Sequence, residues 1–179
     1  MTNASNGRVL PTVDRRRLPH YIAWRTSPPL SNRGCRKRGM NAKKAVLVVE
    51  DSVLDCELIR RSLRQEGVAV HFVRDAQGAM SYLHGEGRYA ERERFPFPSL
   101  VILDHHMGGI TDWEVLRRIR EQTEFKSLPV VVFSGSERPE TQRAALALGA
   151  NAYHLKPTNF DEFSVEVRRI SEQWVEGGQ

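Results

Sequence analysis

Cysteine is nearly missing from this chain: among 179 residues only Cys35 and Cys56 carry a thiol, with no CxxC spacing between them. Neither a disulfide framework nor a zinc site is indicated by so few thiols. Long hydrophobic runs are also missing, and no apolar stretch approaches the ~20 residues that span a bilayer. The triplet Arg15-Arg16-Arg17 is not followed by the apolar stretch that an export signal needs. Prolines nearby oppose the amphipathic helix of a mitochondrial-type transit peptide. The expectation is a reduced, cytoplasmic setting.

What is present is distributed unevenly. Residues 1–39 hold nine Lys/Arg against Asp14 alone, a net of +8, whereas residues 40–179 hold 18 basic and 21 acidic residues, a net of −3. The overall +5 therefore belongs to the N-terminal segment. That segment, with Pro28-Pro29 and Arg36-Lys37-Arg38, is rich in Arg, Ser, Asn and Pro and has no apolar periodicity, so disorder is expected in isolation. A basic arm of this kind suits nucleic acid electrostatically, but it has no folded motif and few aromatics beyond Tyr21 and Trp24. Met40 directly precedes the first apolar run, leaving open that residues 1–39 are not translated. The expected organisation is a basic extension over 1–39 and one domain over 40–179, with a hydrophobic share of 40% sufficient for a core.

From residue 45 onward, short β-branched runs alternate with longer amphipathic segments, the pattern of βαβ units closing a parallel sheet. Strands are predicted at Ala45–Glu50, Val68–Val73, Leu100–Leu103, Val130–Phe133 and Ala152–Leu155. Helices are predicted at Val53–Gln65, Ala76–His84, Thr111–Gln122, Pro139–Leu148 and Phe160–Val175. In the first helix Leu54, Leu58, Ile59 and Leu63 are expected to face inward and Arg60, Arg61 and Arg64 outward, with Gly67 ending it. The connection GEGRYAERERFPFPS is longer than usual. Its alternating Glu/Arg series reads as a solvated face, with partner recognition by Phe95-Pro96-Phe97-Pro98 as the sharper alternative.

Four polar stations stand at the downstream ends of these runs: Glu50-Asp51 after AVLVV, Asp104 after LVIL, Ser134 after PVVVF and Lys156 after NAYHL. Singly each has a plain structural explanation, such as Glu50-Asp51 leading into Ser52 as an N-cap. Jointly they converge on the carboxyl edge of one parallel sheet, where open α/β folds place their chemistry. Carboxylates held that close repel one another unless one is protonated or a divalent cation intervenes. Hard oxygen donors favour magnesium. A lysine and a hydroxyl opposite such a cation form a cradle for a phosphoryl group, with a carboxylate as nucleophile.

In VVEDS, VILDHHM, VVFSGS and HLKP, and in their order and spacing, the sequence resembles the receiver domains of two-component response regulators over roughly residues 43–175. The resemblance implies a flavodoxin-like (βα)5 doubly wound parallel sheet in strand order 2-1-3-4-5. It implies that Asp104 is the phosphoacceptor, that Glu50 and Asp51 hold Mg2+, and that the main-chain carbonyl of His106 completes the protein ligands. Asp51 would ligate directly and Glu50 mainly through water. Ser134 and Lys156 would contact the acyl-phosphate, and Tyr153 would be the aromatic that changes rotamer with Ser134.

Gly108 and Asp112 depart from the family pattern, which has proline and glycine there, and Asp112 is a candidate cap for the helix near Trp113. His105-His106 beside the acceptor is unusual, and reads as a partly exposed loop pair with His106 controlling water access. The long connection, KPTNFDEF and Trp174 resemble single-domain receivers that serve bacterial phytochrome histidine kinases. This implies a histidine-kinase partner, no appended output domain, and a homodimer through the fourth and fifth helical region, with intramolecular packing the alternative for Trp174. Two other classes stay open: a magnesium-dependent phosphohydrolase, and a nucleic-acid-binding protein using residues 1–39.

Overall fold

The computed structural model describes residues 44–64, 66–106 and 113–176. The basic extension, Met40, Gly108 and Asp112 lie outside the described residues. The apolar runs form five strands, β1 (Ala45–Val49), β2 (Ala69–Val73), β3 (Leu100–Leu103), β4 (Val130–Ser134) and β5 (Ala152–Leu155). They pair in parallel in the order β2-β1-β3-β4-β5, the topology expected above. Between and after them lie α1 (Val53–Ser62), α2 (Ala76–His84), α3 (Glu114–Glu121), α4 (Pro139–Ala147) and α5 (Phe160–Ser171).

Strands β1, β3 and β4 are buried at every position, as central strands covered on both faces must be. Their alternation sends Val46, Val48, Ile102 and Phe133 to a face packed against Ile59 of α1 and Phe163, Val167 and Ile170 of α5. Leu47, Val49, Leu103 and Val132 face the other way, under Leu83 of α2, Leu116 and Ile119 of α3 and Ala145 of α4. Because all five strands run in one direction, the residues that follow them share one edge.

Local chemistry sets the helix boundaries. Ser52, Asp75 and Asn159 cap α1, α2 and α5, each accepting a backbone N–H of the first turn. Helix α2 ends at Gly85, whose φ of 72° is left-handed. A Cβ there would also lie 2.7 Å from the Arg92 guanidinium. That guanidinium donates to the carbonyls of Tyr82 (2.8 Å) and Leu83 (2.6 Å), so Arg92 departs from the solvated series expected for it and satisfies the end of α2. Most of Phe95-Pro96-Phe97-Pro98 is packing: Phe95 sits against Tyr82, Tyr89 and His71, Pro98 is buried, and the Tyr82 hydroxyl donates to Pro96 O at 2.8 Å. Phe97 stays 48% exposed.

Three expectations are corrected. Leu54 is 67% exposed rather than inward, since at about 100° per residue it lies half a turn round from Leu63, which is buried. Helix α1 ends at Ser62, ahead of Gln65, with Leu63 as its C-cap. Helix α5 ends at Ser171 and widens into a π-helical turn over Glu172–Glu176. Within that turn Val175 is buried and Trp174 packs against the same core cluster, the intramolecular alternative for this tryptophan.

Two polar anchors tie the layers together. Arg120 of α3 donates to Gly149 O (2.8 Å), Leu128 O (3.1 Å) and Asn151 Oδ1 (2.9 Å), and the same Oδ1 accepts the Val130 N–H at 2.8 Å. Replacing Arg120 by Met strands those carbonyls, and a loss of about 2–3 kcal/mol in urea unfolding is expected. His154 of β5 is buried with Nδ1 2.5 Å from Glu166 Oε1 on α5. That hydrogen bond holds the Glu166 carboxyl below its ordinary value. A carboxylate lowered in the folded state stabilises above its unfolded pKa and loses that contribution as pH falls through the lowered one. Glu166→Gln is therefore expected to lower stability at neutral pH and to narrow its difference from wild type in acid, read by denaturation across pH.

Candidate functional site

The shared strand edge gathers the four stations. Glu50 follows β1 directly and is 2% exposed; Asp104 follows β3 and is 6% exposed. Ser134 is the last residue of β4 and is fully buried, and Lys156 follows β5. Ladder hydrogen bonds continue past the strands to hold these backbones, with Asp104 N donating to Val49 O at 2.9 Å and Lys156 N to Ser134 O at 2.8 Å. Side-chain positions therefore inherit the precision of the sheet.

The Lys156 ammonium is the electrostatic centre. It donates to Glu50 Oε2 (2.6 Å) and Asp55 Oδ2 (2.8 Å) and lies 3.3 Å from Asp104 Oδ1. The second Glu50 oxygen accepts the Ser52 N–H at 3.0 Å. Burial alone would push the lysine pKa down, but Asp104, Glu50 and Asp55 outweigh it and hold the group above its ordinary value. Burial dominates at Glu50, whose carboxyl is pushed up to about 7 despite the lysine beside it.

Glu50, Asp51 and Asp104 each offer a carboxylate oxygen, and these oxygens all lie within 4.8 Å of one another. With Asp55 that makes four acids, three of them in contact with the one lysine. Such a surplus of negative charge, presented by oxygen donors alone, fits a hard divalent cation. The acids expected from the strand ends are thus brought together, and Asp51 is the exposed member.

A second cluster flanks the hydroxyl. Ser134 Oγ accepts the Ser136 N–H at 3.2 Å, and the Tyr153 hydroxyl donates to Ser136 O at 2.7 Å. Ser136 thereby joins the two residues that the sequence reading treated as a pair. Asp55 and Ser136 were both missed by that reading. Their signals were available, one in the first turn after the Ser52 cap and one at the second serine of FSGS, but neither stands at a strand end.

The histidine pair divides. His105 is buried, its ring 4.5 Å from that of Trp113, which corrects the expectation of a partly exposed pair; His106 is exposed. Their Nδ1 atoms approach to 3.0 Å. The indole packs against the His105 ring at an interplanar angle of 45°, and this contact contributes to its burial.

A family model described as the response regulator receiver domain matches residues 46–168. Response regulator Rcp1 of Synechocystis sp. is 31% identical over 138 residues, covering 76% of this chain and 92% of that protein. The Mn2+-bound form of Rcp1 superposes with a TM-score of 0.65 over 74% of this chain and 95% of that one. The phosphorylated cyanobacterial phytochrome response regulator RcpA gives a TM-score of 0.70 at 32% identity, covering 77% of this chain and 98% of that one. RPA3017 of R. palustris, a response regulator in red light signalling, gives 0.70 at 28% identity over 76% and 96%. With the acidic cluster, the lysine and the five-stranded topology already in hand, the match of sequence and fold leads to one conclusion: this chain belongs to the response regulator receiver family.

Proposed function

We propose that Asp104 accepts a phosphoryl group from the phosphohistidine of a sensor kinase and that the resulting acyl-phosphate is the signal. A carboxylate oxygen of Asp104 forms the new P–O bond as the P–N bond breaks, and the imidazole leaves with the bonding electron pair. Water later hydrolyses the acyl-phosphate and regenerates the carboxylate. The observation that carries this reading is the Lys156 ammonium 3.3 Å from Asp104 Oδ1, where a counter-charge serves the transferred group's oxygens.

Asp51 and Asp104, with the main-chain carbonyl of His106, would hold Mg2+; Glu50, already engaged by Lys156 and Ser52, would act through water. The ion supplies charge neutralisation at the phosphoryl oxygens. Ser134 would turn its hydroxyl to the phosphoryl group, giving up the Ser136 N–H. Tyr153 would follow, because its hydroxyl is anchored to the same residue. His106, exposed at the site's rim, would govern water access and so acyl-phosphate lifetime.

The donor histidine must approach over the rim. Val53 and Leu54, 68% and 67% exposed just after Asp51, and Phe160, 48% exposed four residues past Lys156, give that approach an apolar face. Keeping a Leu out of the core forgoes about 1.5–3 kcal/mol, a sacrifice that a docking role explains. The resemblance to regulators of phytochrome and red-light signalling supports a bacteriophytochrome kinase as the donor. Homodimerisation through the α4 and α5 region belongs to the same reading, with Val165 of α5 57% exposed. Family membership does not favour a phosphohydrolase or a nucleic-acid-binding protein.

Acetyl phosphate with Mg2+ is expected to add one phosphoryl mass to the wild type and none to Asp104→Asn, measured on intact protein. Labelling that survives the substitution would sink the assignment. Lys156→Met leaves buried carboxylates without a counter-charge and is expected to cost about 3 kcal/mol in chelator. Mg2+ should restore more stability to that variant than to wild type, read as the shift in thermal midpoint on adding the ion.

A further inference from the structure

On the far side of β1 from the acidic site, β2 is the edge strand of the sheet, and a groove of about 430 Å³ runs along it. Ala69 N donates to Lys44 O at 2.9 Å, and Val73 O accepts from Glu50 N at 3.0 Å, so these residues turn their peptide groups toward β1. With a period of two, Val70 and Phe72 turn theirs the other way, to the open edge. Each presents one N–H and one C=O there, an arrangement that pairs readily with a further strand.

Three arginines frame that edge. Arg60 lies 4.7 Å from the Phe72 ring centroid, Arg88 4.7 Å from that of Tyr89, and Arg94 5.3 Å from that of Phe95. Each guanidinium is held over an aromatic face and so is ordered beforehand. Arg60 shares its charge with Glu57 (2.9 Å), but among the described residues no carboxylate lines the groove. Arg60 comes from the helix on one face of the sheet, α1, and Arg88 and Arg94 from the α2–β3 connection on the other.

We propose that β2 accepts an extended acidic segment of a partner protein as a sixth strand. The segment's backbone pairs with Val70 and Phe72, and its alternating side chains send carboxylates to Arg60 on one face and to Arg88 and Arg94 on the other. Charge selects this occupant. A second copy paired edge to edge sets two arginine triads against each other, and residues 1–39, at a net of +8, carry the wrong sign. The proposal is independent of phosphoryl transfer at Asp104.

The test uses the full chain and a fluorescein-labelled peptide in which Glu-Glu pairs alternate with Val-Val pairs, so that a strand of it carries carboxylates on both faces, followed by anisotropy. Binding is expected, with a loss of at least about tenfold in Arg88→Glu combined with Arg94→Glu, because charge reversal at a contacting pair is repulsive. The basic N-terminal segment is the same in both proteins, so this comparison isolates the groove. The same peptide N-methylated at every second residue keeps its charge but loses the strand-pairing edge, and is expected to bind at least about tenfold more weakly. Equal affinity of the methylated peptide, which indicates a site for anions in general, would overturn the proposal. So would unchanged affinity in the double variant, or no binding by the wild type. Intact-mass labelling by acetyl phosphate, unaffected by the double variant, verifies that its fold is retained.

Discussion

One ammonium group organises the functional edge of this protein. Lys156 reaches Glu50, Asp55 and Asp104 from the end of β5, joining groups that follow β1, enter α1 and follow β3. Without it, buried or half-buried carboxylates would face one another across a few ångströms, where low dielectric makes repulsion severe. With it, the acids remain together but still exceed the available positive charge. That residual imbalance is what suits the site to a divalent cation. The same charges that make the edge reactive also make it dependent on the sheet beneath.

The sheet meets that demand through rigidity. Backbone hydrogen bonds carry the ladder one residue past β1, β3 and β5, so Asp104 and Lys156 are positioned by main-chain geometry rather than by loops. Around this rigid edge the movable parts are small. Ser134 and Tyr153 both hold Ser136, one by accepting its N–H and one by donating to its carbonyl. In the switching proposed above, a hydroxyl leaving that turn and an aromatic following it would form a compact path from site to surface. At the other end of the sheet order, β2 has no neighbouring strand on its outer side among the described residues, and its arginines sit over rings supplied partly by the long connection before β3.

Much of this was legible in the residues. Unbroken apolar runs such as LVIL and VVVF announced strands covered on both faces, and the polar residue ending each run marked a position that gathers at one sheet edge. Boundaries also came through where a cap or glycine sets them, as with Asp75 and Gly85 around α2. Other positions were not readable. Leu54 looked inward because apolar spacing alone does not say which arc of a helix meets the sheet. Arg92 sat in a run of alternating charge, and nothing local distinguishes a solvated arginine from one that closes a helix end. His105 was buried by a tryptophan eight residues away, a contact that only the packed loop creates.

The sequence by itself determined the class of fold, the identity of the strand-end residues and the sign of the charge they bring, because periodicity and residue type are local properties. Tertiary structure alone decided that Asp55 shares the lysine, that Ser136 couples hydroxyl to aromatic, and that three arginines from two sides of the sheet frame one edge strand. Each of those depends on residues far apart in the chain meeting at a few ångströms. Such meetings are set by the stacking of helices on a sheet, which no single segment encodes.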